Sequence, residues 1–259
     1  MDLFLKDKVI IVTGGSSGIG KGISLALAEE GAIPFIVGKD KDSVDAAFTE
    51  IKGLGFKVGK AYAELMDAID CKKAIDKAIE DFGKINGLVN NAGVNDSVGL
   101  EKGSVEQFNL SLNKNLTHYY QMAKLVLPEL KKSKGSIVNI GSKTSFMGQG
   151  GTSGYAAANG GRNALTREWA VELLPYSIRV NAVIVAECYT PLYEWWLKSF
   201  DNPEEKLKGI LSKIPLENRM TTAKEIANMV LFLLSSRSSH TTGQLVFVDG
   251  GYTHLDRSL

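Results

Sequence analysis

The chain is poor in cysteine and histidine, and it has no excess of charge of either sign. Its 259 residues include two cysteines, Cys71 and Cys188, which are too few for a disulfide framework. Three scattered histidines make no metal-ligand cluster. With 30 basic and 29 acidic residues, the net charge of +1 argues against nucleic-acid binding or attachment to a membrane surface. We therefore predict no metal, no nucleic acid and no membrane among its partners.

Long hydrophobic runs are also missing. No apolar run reaches the roughly 20 residues that span a bilayer, and the N-terminal segment carries acids and too short an apolar stretch for a signal peptide. The composition, 44% hydrophobic and 23% charged, is ordinary for a globular protein with enough length to bury a core. We predict a cytoplasmic protein.

Apolar runs alternate with helical patterns along the chain. Runs rich in β-branched residues predict strands at 9–12, 33–37, 58–63, 88–89, 136–140, 178–185 and 244–248. Apolar residues at helical spacing predict helices at 18–30, 42–54, 68–82, 105–131, 155–174 and 222–234. Such alternation is typical of the α/β class, and right-handed crossovers place helices on both faces of a parallel sheet. We predict a single Rossmann-like, doubly wound domain over residues 1–259.

One segment, residues 191–215, interrupts this alternation. Its aromatic residues Tyr193, Trp195, Trp196 and Phe200 precede a charged stretch. The cluster is consistent with core packing, and its place after the carboxyl end of a strand equally suits a lid over a substrate pocket. We predict a substrate lid at about residues 190–215.

A glycine-rich stretch, Thr13-Gly-Gly-Ser-Ser-Gly-Ile-Gly20, lies between the first predicted strand and the first predicted helix. Glycines there permit a tight turn and a close approach of a pyrophosphate, which the N–H groups and dipole of the helix then attract. The strand before the motif and the amphipathic helix after it strengthen the prediction of a dinucleotide site. The residues predicted to bind the cofactor in this loop are Gly14, Ser16, Ser17, Gly18, Ile19 and Gly20.

The residues after the second strand contact the adenosine ribose and so discriminate between NAD and NADP. An acid there binds the free 2′-hydroxyl of NAD, whereas a base accommodates the 2′-phosphate of NADP. Gly38 stands where the acid is expected and Lys39 follows it, so we predict NADP. Asp40 keeps NAD as the alternative.

With this loop, Asn90-Asn-Ala-Gly93, Ser142 and Tyr155, the chain resembles the short-chain dehydrogenase/reductase family over nearly its whole length. The resemblance implies hydride transfer between NAD(P) and an alcohol/carbonyl pair, and a homotetramer built through the long helices 105–131 and 155–174 and the last strand. It also implies cofactor contacts from Asn91, Ala92, Gly93, Tyr155, Asn159 and Thr190.

Several segments are similar to bacterial L-fucose dehydrogenases within that family, namely 91–96, 118–123, 164–170, 190–193 and 250–256. On that basis alone the expected substrate is an aldose such as L-fucose, and a ketoacyl or other carbonyl reductase is the alternative. Residues placed near strand ends are the candidates for binding a sugar: Asn95, Ser142, Lys143, Gln149, Glu187 and Trp196. His254 lies in a C-terminal tail that is expected at the surface or, alternatively, in a neighbouring subunit's site.

The resemblance assigns chemical roles to three residues. Tyr155 matches the acid/base that takes the hydroxyl proton in the oxidative direction. Ser142 matches the hydroxyl that holds the substrate oxygen. Asn115 matches the asparagine that supports a proton-relaying water.

Asn159 is a departure from the family at a position that bears on Tyr155. The family has a lysine there, four residues after the tyrosine on the same helix face, and its charge favours the phenolate and binds the nicotinamide ribose. Asparagine can hydrogen-bond but carries no charge. A free tyrosine has a pKa near 10, so only about 0.1% is ionised at pH 7. The glycines at 160 and 161 also predict a locally loosened helix.

Three interpretations of Asn159 are open. In a working dehydrogenase another cation substitutes, and the candidates are Arg162, two turns after Tyr155 on the same face, and Lys143, next to the catalytic serine. Alternatively, the chain is a slow or inactive cofactor-binding member that acts as a sensor or assembly subunit. Finally, Asn159 is an introduced change, although further departures nearby favour a natural origin.

Overall fold

Seven parallel strands form the central sheet of the computed structural model, which describes residues 2–255. They are β1 (Val9–Thr13), β2 (Ile33–Gly38), β3 (Gly59–Tyr62), β4 (Gly87–Asn90), β5 (Ser136–Ser142), β6 (Arg179–Val185) and β7 (Leu245–Val248). Their order across the sheet is β3-β2-β1-β4-β5-β6-β7, and each neighbouring pair is parallel. The predicted doubly wound α/β fold is confirmed.

Helices cover both faces of this sheet, and strands such as β1 and β2 are therefore buried throughout. The helices are α1 (Gly18–Glu29), α2 (Lys41–Gly53), α3 (Ala68–Phe82), α4 (Val105–Leu112), α5 (His118–Ser133), α6 (Ser153–Glu172), α7 (Pro191–Leu197), α8 (Pro203–Leu211) and α9 (Ala223–Leu234). Apolar side chains of α1, α2 and α9 pack on one face. Those of α3, α5 and α6 form the core on the other face. None of the helices within residues 2–255 combines the length and hydropathy needed to cross a membrane.

The prediction of one helix over residues 105–131 is wrong. The structure interrupts it with a π-helical segment, Asn113–Thr117, between α4 and α5, and α5 continues to Ser133. Hydrophobic spacing does not reveal such a change, because one wider turn hardly alters which residues face the core. The π-helical segment carries Asn115 and buries its side chain.

The loosened helix expected at residues 159–161 is also wrong, since α6 runs without a break from Ser153 to Glu172. Gly161 lies against Leu116, and a Cβ atom there would stand 2.7 Å from the Leu116 Cδ2 atom. Close packing of α6 on the π-helical segment therefore accounts for this glycine and outweighs its low helix propensity.

The segment after β6 contains the short helices α7 and α8. Its aromatic residues form a cluster in which the Trp196 ring packs edge-on against Tyr193 and Phe200, with centroids 5.2 and 4.9 Å away. Closure of this segment over a substrate stays a prediction.

Candidate active site

Two adjoining cavities open at the edge of the sheet where the parallel strands end. The first has a volume of about 420 Å³ and contains Ser142 and Tyr155 on its wall. The second, about 480 Å³, extends past the end of β2 to Lys39 and Asp40. Gly14, Ser17, Ala92 and Gly93 line both cavities, so the two form one continuous groove around the glycine-rich loop.

The glycine-rich loop leaves the start of α1 available to an anion. Gly14 and Gly18 have φ angles of +62° and +52°, which side-chain-bearing residues seldom adopt. Ser17 is the N-cap residue of α1 but makes no side-chain capping bond, whereas Asp40 caps α2 and Asp67 caps α3. The N–H groups of the first turn of α1 are thus not covered by a capping side chain.

Thr13 and Asn91 hold this loop against the end of β4. The Thr13 Oγ1 atom accepts hydrogen bonds from the backbone N–H groups of Asn91 at 2.9 Å and Ala92 at 3.2 Å. The Asn91 Nδ2 atom in turn donates to the Thr13 carbonyl oxygen at 2.9 Å. With its glycine-rich turn and uncapped helix start, the groove fits a nicotinamide dinucleotide.

At the far end of the groove, one acid and one base follow β2. Asp40 accepts a hydrogen bond from the Ser43 N–H group. Hydrogen bonding from the Ser43 side chain, and then from this N–H group, holds the pKa of the Asp40 carboxyl below its ordinary value. Lys39 is exposed and lies 3.6 Å from the nearest carboxylate oxygen of Glu64. Its ammonium group therefore remains accessible to a ligand in the second cavity.

Ser142 and Tyr155 both present their side chains to the first cavity. The Ser142 Oγ atom accepts hydrogen bonds from the N–H group of Thr144 at 3.3 Å and from its hydroxyl at 3.1 Å. Because these bonds use the oxygen as an acceptor, the Ser142 proton is free to be donated to a substrate oxygen. The Tyr155 hydroxyl makes no hydrogen bond to any part of the chain that the structure describes.

Asn159 and Asn115 are buried beside this cavity and are not part of its wall. The Asn159 Nδ2 atom donates to the Tyr155 carbonyl oxygen at 2.9 Å, one turn earlier in α6. The Asn115 Oδ1 atom accepts from the Val94 N–H group at 2.8 Å, and its Nδ2 atom donates to the Ser111 carbonyl at 3.0 Å. Both amide side chains are thus engaged by protein atoms.

Arg162 reaches the cavity that Asn159 does not. It is buried within α6, with 2% of its surface exposed, and forms part of the cavity wall with Tyr155. Its Nη1 atom donates to the Asn159 Oδ1 atom at 3.1 Å. Its guanidinium carbon lies 5.9 Å from the centroid of the Tyr155 ring.

Lys143 and Glu187 form an ion pair between the segments that follow β5 and β6. Each side chain is 12% exposed. The Tyr193 hydroxyl donates to the Glu187 Oε2 atom at 2.8 Å, and burial together with this carboxylate raises the pKa of Tyr193. The Lys143 ammonium also lies over the Tyr252 ring, 4.0 Å from its centroid. These groups form a polar cluster next to Ser142.

Other predicted substrate residues lie away from the cavities. Asn95 and Gln149 are exposed, and Trp196 packs within the aromatic cluster of α7 and α8. His254 packs on Phe247 of its own chain, with ring centroids 4.3 Å apart. Tyr193 lines the first cavity but was not among the predicted substrate residues. The signal that could have identified it is its position two residues after Thr190-Pro191, in the first turn of a helix that begins beside the cavity.

Most of the predicted cofactor residues surround the groove. Thr190 lines the first cavity and also caps α7, since its Oγ1 atom accepts from the Tyr193 N–H group at 3.2 Å. Ser16 lines the second cavity and Ile19 the first, while Gly20 is buried behind the loop. Within residues 2–255, no three histidine, cysteine or acidic side chains are grouped so as to hold a metal ion.

Comparisons with known proteins agree with this geometry. Residues 14–253 match the family model described as enoyl-(acyl carrier protein) reductase. The chain is 36% identical to the 3-oxoacyl-[acyl-carrier-protein] reductase FabG of Thermotoga maritima, over 95% of this chain and 98% of that protein. It is 34% identical to the L-fucose dehydrogenase of Bos taurus, over 94% and 88% of the two chains. The crystal structure of Cj0485 dehydrogenase has a TM-score of 0.94 and 45% identity, covering 100% of this chain and 99% of that one.

The buried histidine beside the groove predicts a pH dependence of stability. Burial, with a further contribution from the Arg162 charge, lowers the pKa of His118 from 6.5 to about 3. Between these values the unfolded chain binds a proton that the folded chain does not, so stability falls as the pH is lowered. From pH 7 to pH 5 this residue should remove about 2 kcal/mol from the free energy of unfolding.

We expect His118→Gln to lose less stability than the parent protein over that range, as measured by urea unfolding at each pH. His240→Gln, which removes an exposed histidine, is the control for the loss of a histidine from the unfolded chain. Equal pH dependence in the parent and the His118 variant would contradict the expected role of burial.

Proposed function

Because the chain belongs to the short-chain dehydrogenase/reductase family, we propose that this oxidoreductase is an NADP-dependent aldose dehydrogenase, with L-fucose as the representative substrate. The observation that carries the proposal is that Ser142, Tyr155 and Tyr193 line one end of the groove, and that Tyr193 is hydrogen-bonded to the Lys143–Glu187 pair, which lies next to that end without lining it. The first two side chains provide the family's chemistry, and the charged pair provides partners for a polyhydroxylated substrate.

Residues of this chain account for the movement of the proton. The Ser142 hydroxyl donates to the oxygen of the reacting alcohol and orients it. Tyr155 in its phenolate form takes the proton of that alcohol. The bound nicotinamide supplies an acceptor for the hydride that leaves the carbon. Removal of a hydride and a proton from the cyclic hemiacetal of an aldose leaves a lactone, and the proton passes from Tyr155 to solvent.

Charge and burial at the polar cluster support a sugar as substrate. The Glu187 carboxylate accepts hydrogen bonds from hydroxyl groups, and the Lys143 ammonium donates them. Both charged side chains are largely shielded from water. Hydrogen bonds to charged groups contribute about 1.5–3 kcal/mol each. An acyl chain or a steroid has few hydroxyl groups with which to make such additional hydrogen bonds. The similarity to L-fucose dehydrogenases adds independent support for the same class of substrate.

Lys39 supports NADP over NAD. Its ammonium group is exposed at the rim of the second cavity, and its contact with Glu64 is long at 3.6 Å. The nearby acid, Asp40, directs a carboxylate oxygen to the N–H group of Ser43. A 2′-phosphate would thus meet an available cation, with the Ser16 and Ser43 side chains on the same cavity wall.

We further propose a cytoplasmic homotetramer in which residues 190–215 close over the sugar. Exposed apolar residues on the two long helical regions, such as Val105, Leu110 and Val171, support assembly through these surfaces. Leu192 and Tyr193 on the first cavity support the role of the segment as a lid. Sedimentation velocity of the purified chain tests the tetramer.

The proposed reaction is tested by assaying the chain with NADP and NAD against L-fucose, D-arabinose, a simple ketone and acetoacetyl-CoA. We expect the largest kcat/KM with L-fucose and NADP. Tyr155→Phe should lower kcat by about 10²- to 10⁴-fold without loss of cofactor binding, because it removes the acid/base group. Preference for acetoacetyl-CoA would replace the sugar with an acyl thioester. Cofactor binding without turnover of any compound would favour the sensor or assembly role.

The substrate assignment predicts a selective effect at Glu187. Glu187→Gln should raise KM for L-fucose by about 10- to 100-fold, since it replaces a charged acceptor with a neutral one. Turnover of a simple alcohol lacking other hydroxyl groups should change little. Glu194→Gln, on the same helix as Tyr193 and away from both cavities, is the matched control. Equal losses for the sugar and the simple alcohol would exclude Glu187 from sugar recognition.

The cofactor assignment predicts a change in preference at Lys39. Lys39→Glu should weaken NADPH binding by about 10- to 100-fold through the loss of a charge-assisted contact and through repulsion of the 2′-phosphate. NADH binding should change much less. Lys41→Glu makes the same charge change two residues away, outside the cavity lining. Calorimetric titration with both cofactors measures the ratio, and an unchanged ratio in Lys39→Glu would argue for NAD.

A further inference from the structure

We propose that Arg162 supplies the cation that Asn159 lacks, and that Asn159 acts as the positioning residue for its guanidinium group. The inference rests on the proposed function, because it names the positive charge of the same site. The two departures from the family pattern on α6, Asn159 and Arg162, would then compensate for each other.

Three elements hold the Arg162 guanidinium in one place. Its Nε atom donates to the Asn115 carbonyl oxygen at 2.7 Å, in the π-helical segment. Its Nη1 atom donates to the Ile140 carbonyl of β5 at 3.1 Å and to the Asn159 Oδ1 atom at 3.1 Å. The guanidinium carbon also lies over the Tyr119 ring, 4.2 Å from its centroid. A side chain held by this many contacts has little freedom to leave the cavity wall.

One nitrogen of the group is left without a partner. The Arg162 Nη2 atom is buried and makes no hydrogen bond to the described residues. It lies towards Gly93, where a Cβ atom would stand only 2.8 Å away. Gly93 borders both cavities. A buried donor without an acceptor is costly, and a hydroxyl of the bound cofactor's nicotinamide ribose is the acceptor we assign to it.

The charge of Arg162 is not neutralised by a carboxylate. No ion pair to this residue occurs within residues 2–255, whereas Lys143 is paired with Glu187. Arginine does not lose its proton in proteins, so the charge persists at any working pH. Its guanidinium carbon lies 5.9 Å from the centroid of the Tyr155 ring, so this unpaired charge lies beside the residue to which the proposed function assigns proton transfer. These facts favour Arg162 over Lys143 as the substituting cation.

The other titratable groups around Tyr155 contribute no comparable charge. Burial raises the pKa of Tyr119 and, with Glu187, that of Tyr193, so both phenols stay neutral. The pKa of His118 is lowered to about 3, so its imidazole is neutral as well. Lys114 and Asp96, near the start of α6, form an ion pair at 3.7 Å.

The identity of residue 159 follows from this arrangement. A lysine there would place a second positive charge beside the guanidinium and remove the amide oxygen that accepts from Nη1. Asparagine avoids the repulsion and supplies the acceptor. A lysine restored alone is therefore expected to be harmful, and a lysine restored together with loss of the arginine is expected to work.

The test compares pH–rate profiles for L-fucose oxidation in five variants and one control. Arg162→Met and the nearly isosteric Asn159→Asp, which adds a neutralising carboxylate, should both move the limb on which the oxidation rate rises with pH to higher pH, by about one to two units, because Tyr155 must be ionised to take the proton. Arg162→Lys should preserve most of the parent profile. Asn159→Lys should be less active than the parent, and adding Arg162→Leu to it should recover activity. Arg179→Met, which removes a half-buried arginine that donates to the carbonyl oxygens of Leu233 and Leu234, is the control for a structural effect.

A second measurement uses the cofactor-free protein. Carbon-13 labelling of tyrosine, with Tyr155→Phe to assign its resonance, follows ionisation of Tyr155 by NMR. Ionisation of Tyr155 should begin at lower pH in the parent than in Asn159→Asp. Because this variant retains the size of the side chain, it can still be measured if Arg162→Met does not fold.

Unchanged profiles and unchanged titration in both variants would overturn the role of Arg162. A gain of activity in Asn159→Lys alone would also overturn the role of Arg162, because it would show that no other residue supplies the positive charge missing at residue 159. Inactivity of the parent with every substrate would overturn the proposed function instead, and the NMR titration would still decide the role of Arg162.

Discussion

Parallel pairing across the sheet is the constraint on which the site depends. Because β1, β4, β5 and β6 all run in one direction, their carboxyl ends meet at the same edge, although they lie far apart in the sequence. The glycine-rich loop, Ala92, Ser142 and Glu187 each follow one of these ends. The order reverses between β1 and β4, and the groove lies at that crevice. The parallel arrangement thus brings the uncapped start of α1, the Ser142 and Tyr155 side chains and the Lys143–Glu187 pair close together.

A second level of organisation lies beneath this groove, in a layer of buried polar groups. The Asn90 Nδ2 atom donates to Asn139, whose amide donates to the Thr166 hydroxyl, and that hydroxyl donates to the Arg162 carbonyl oxygen. These bonds connect β4, β5 and α6 at the level of the cavity floor. Each member is buried and hydrogen-bonded, so displacement of one element would leave costly unsatisfied groups in the others. Arg162 is thereby fixed relative to both strands.

Much of this architecture was predictable from sequence, because its signals are local. The run at 9–12, the loop after it and the helix from Gly18 identify a strand–loop–helix unit whose role is set by backbone geometry. The interruption at Asn113 was not predictable, since π and α turns bury nearly the same residues. Nor was the straight course of α6 through Gly160 and Gly161, because its stability comes from contact with Leu116, a residue distant in sequence.

The candidate site divides in the same way. Motif positions such as Ser142 and Tyr155 lie on the cavity wall as the resemblance implies. The pairing of Lys143 with Glu187 and the contact with Tyr193 depend on how two loops approach each other, which spacing does not encode. In the sequence, Asn159 is a loss of charge for which Arg162 and Lys143 are both candidate replacements. The structure adds that the Arg162 Nη1 atom donates to the Asn159 Oδ1 atom, a contact that spacing does not encode.

The contact between Arg162 and Gly93 has a consequence for how such a sequence changes over generations. With the guanidinium in place, residue 93 has no room for a side chain, and a lysine at residue 159 meets a like charge. Under the proposed role of Arg162, residues 159 and 162 constrain each other, so a change at either one alone is expected to lower activity until the other changes too. Lineages that acquire this pair would tend to keep it, and surveys that require a lysine four residues after the tyrosine would discard them as inactive.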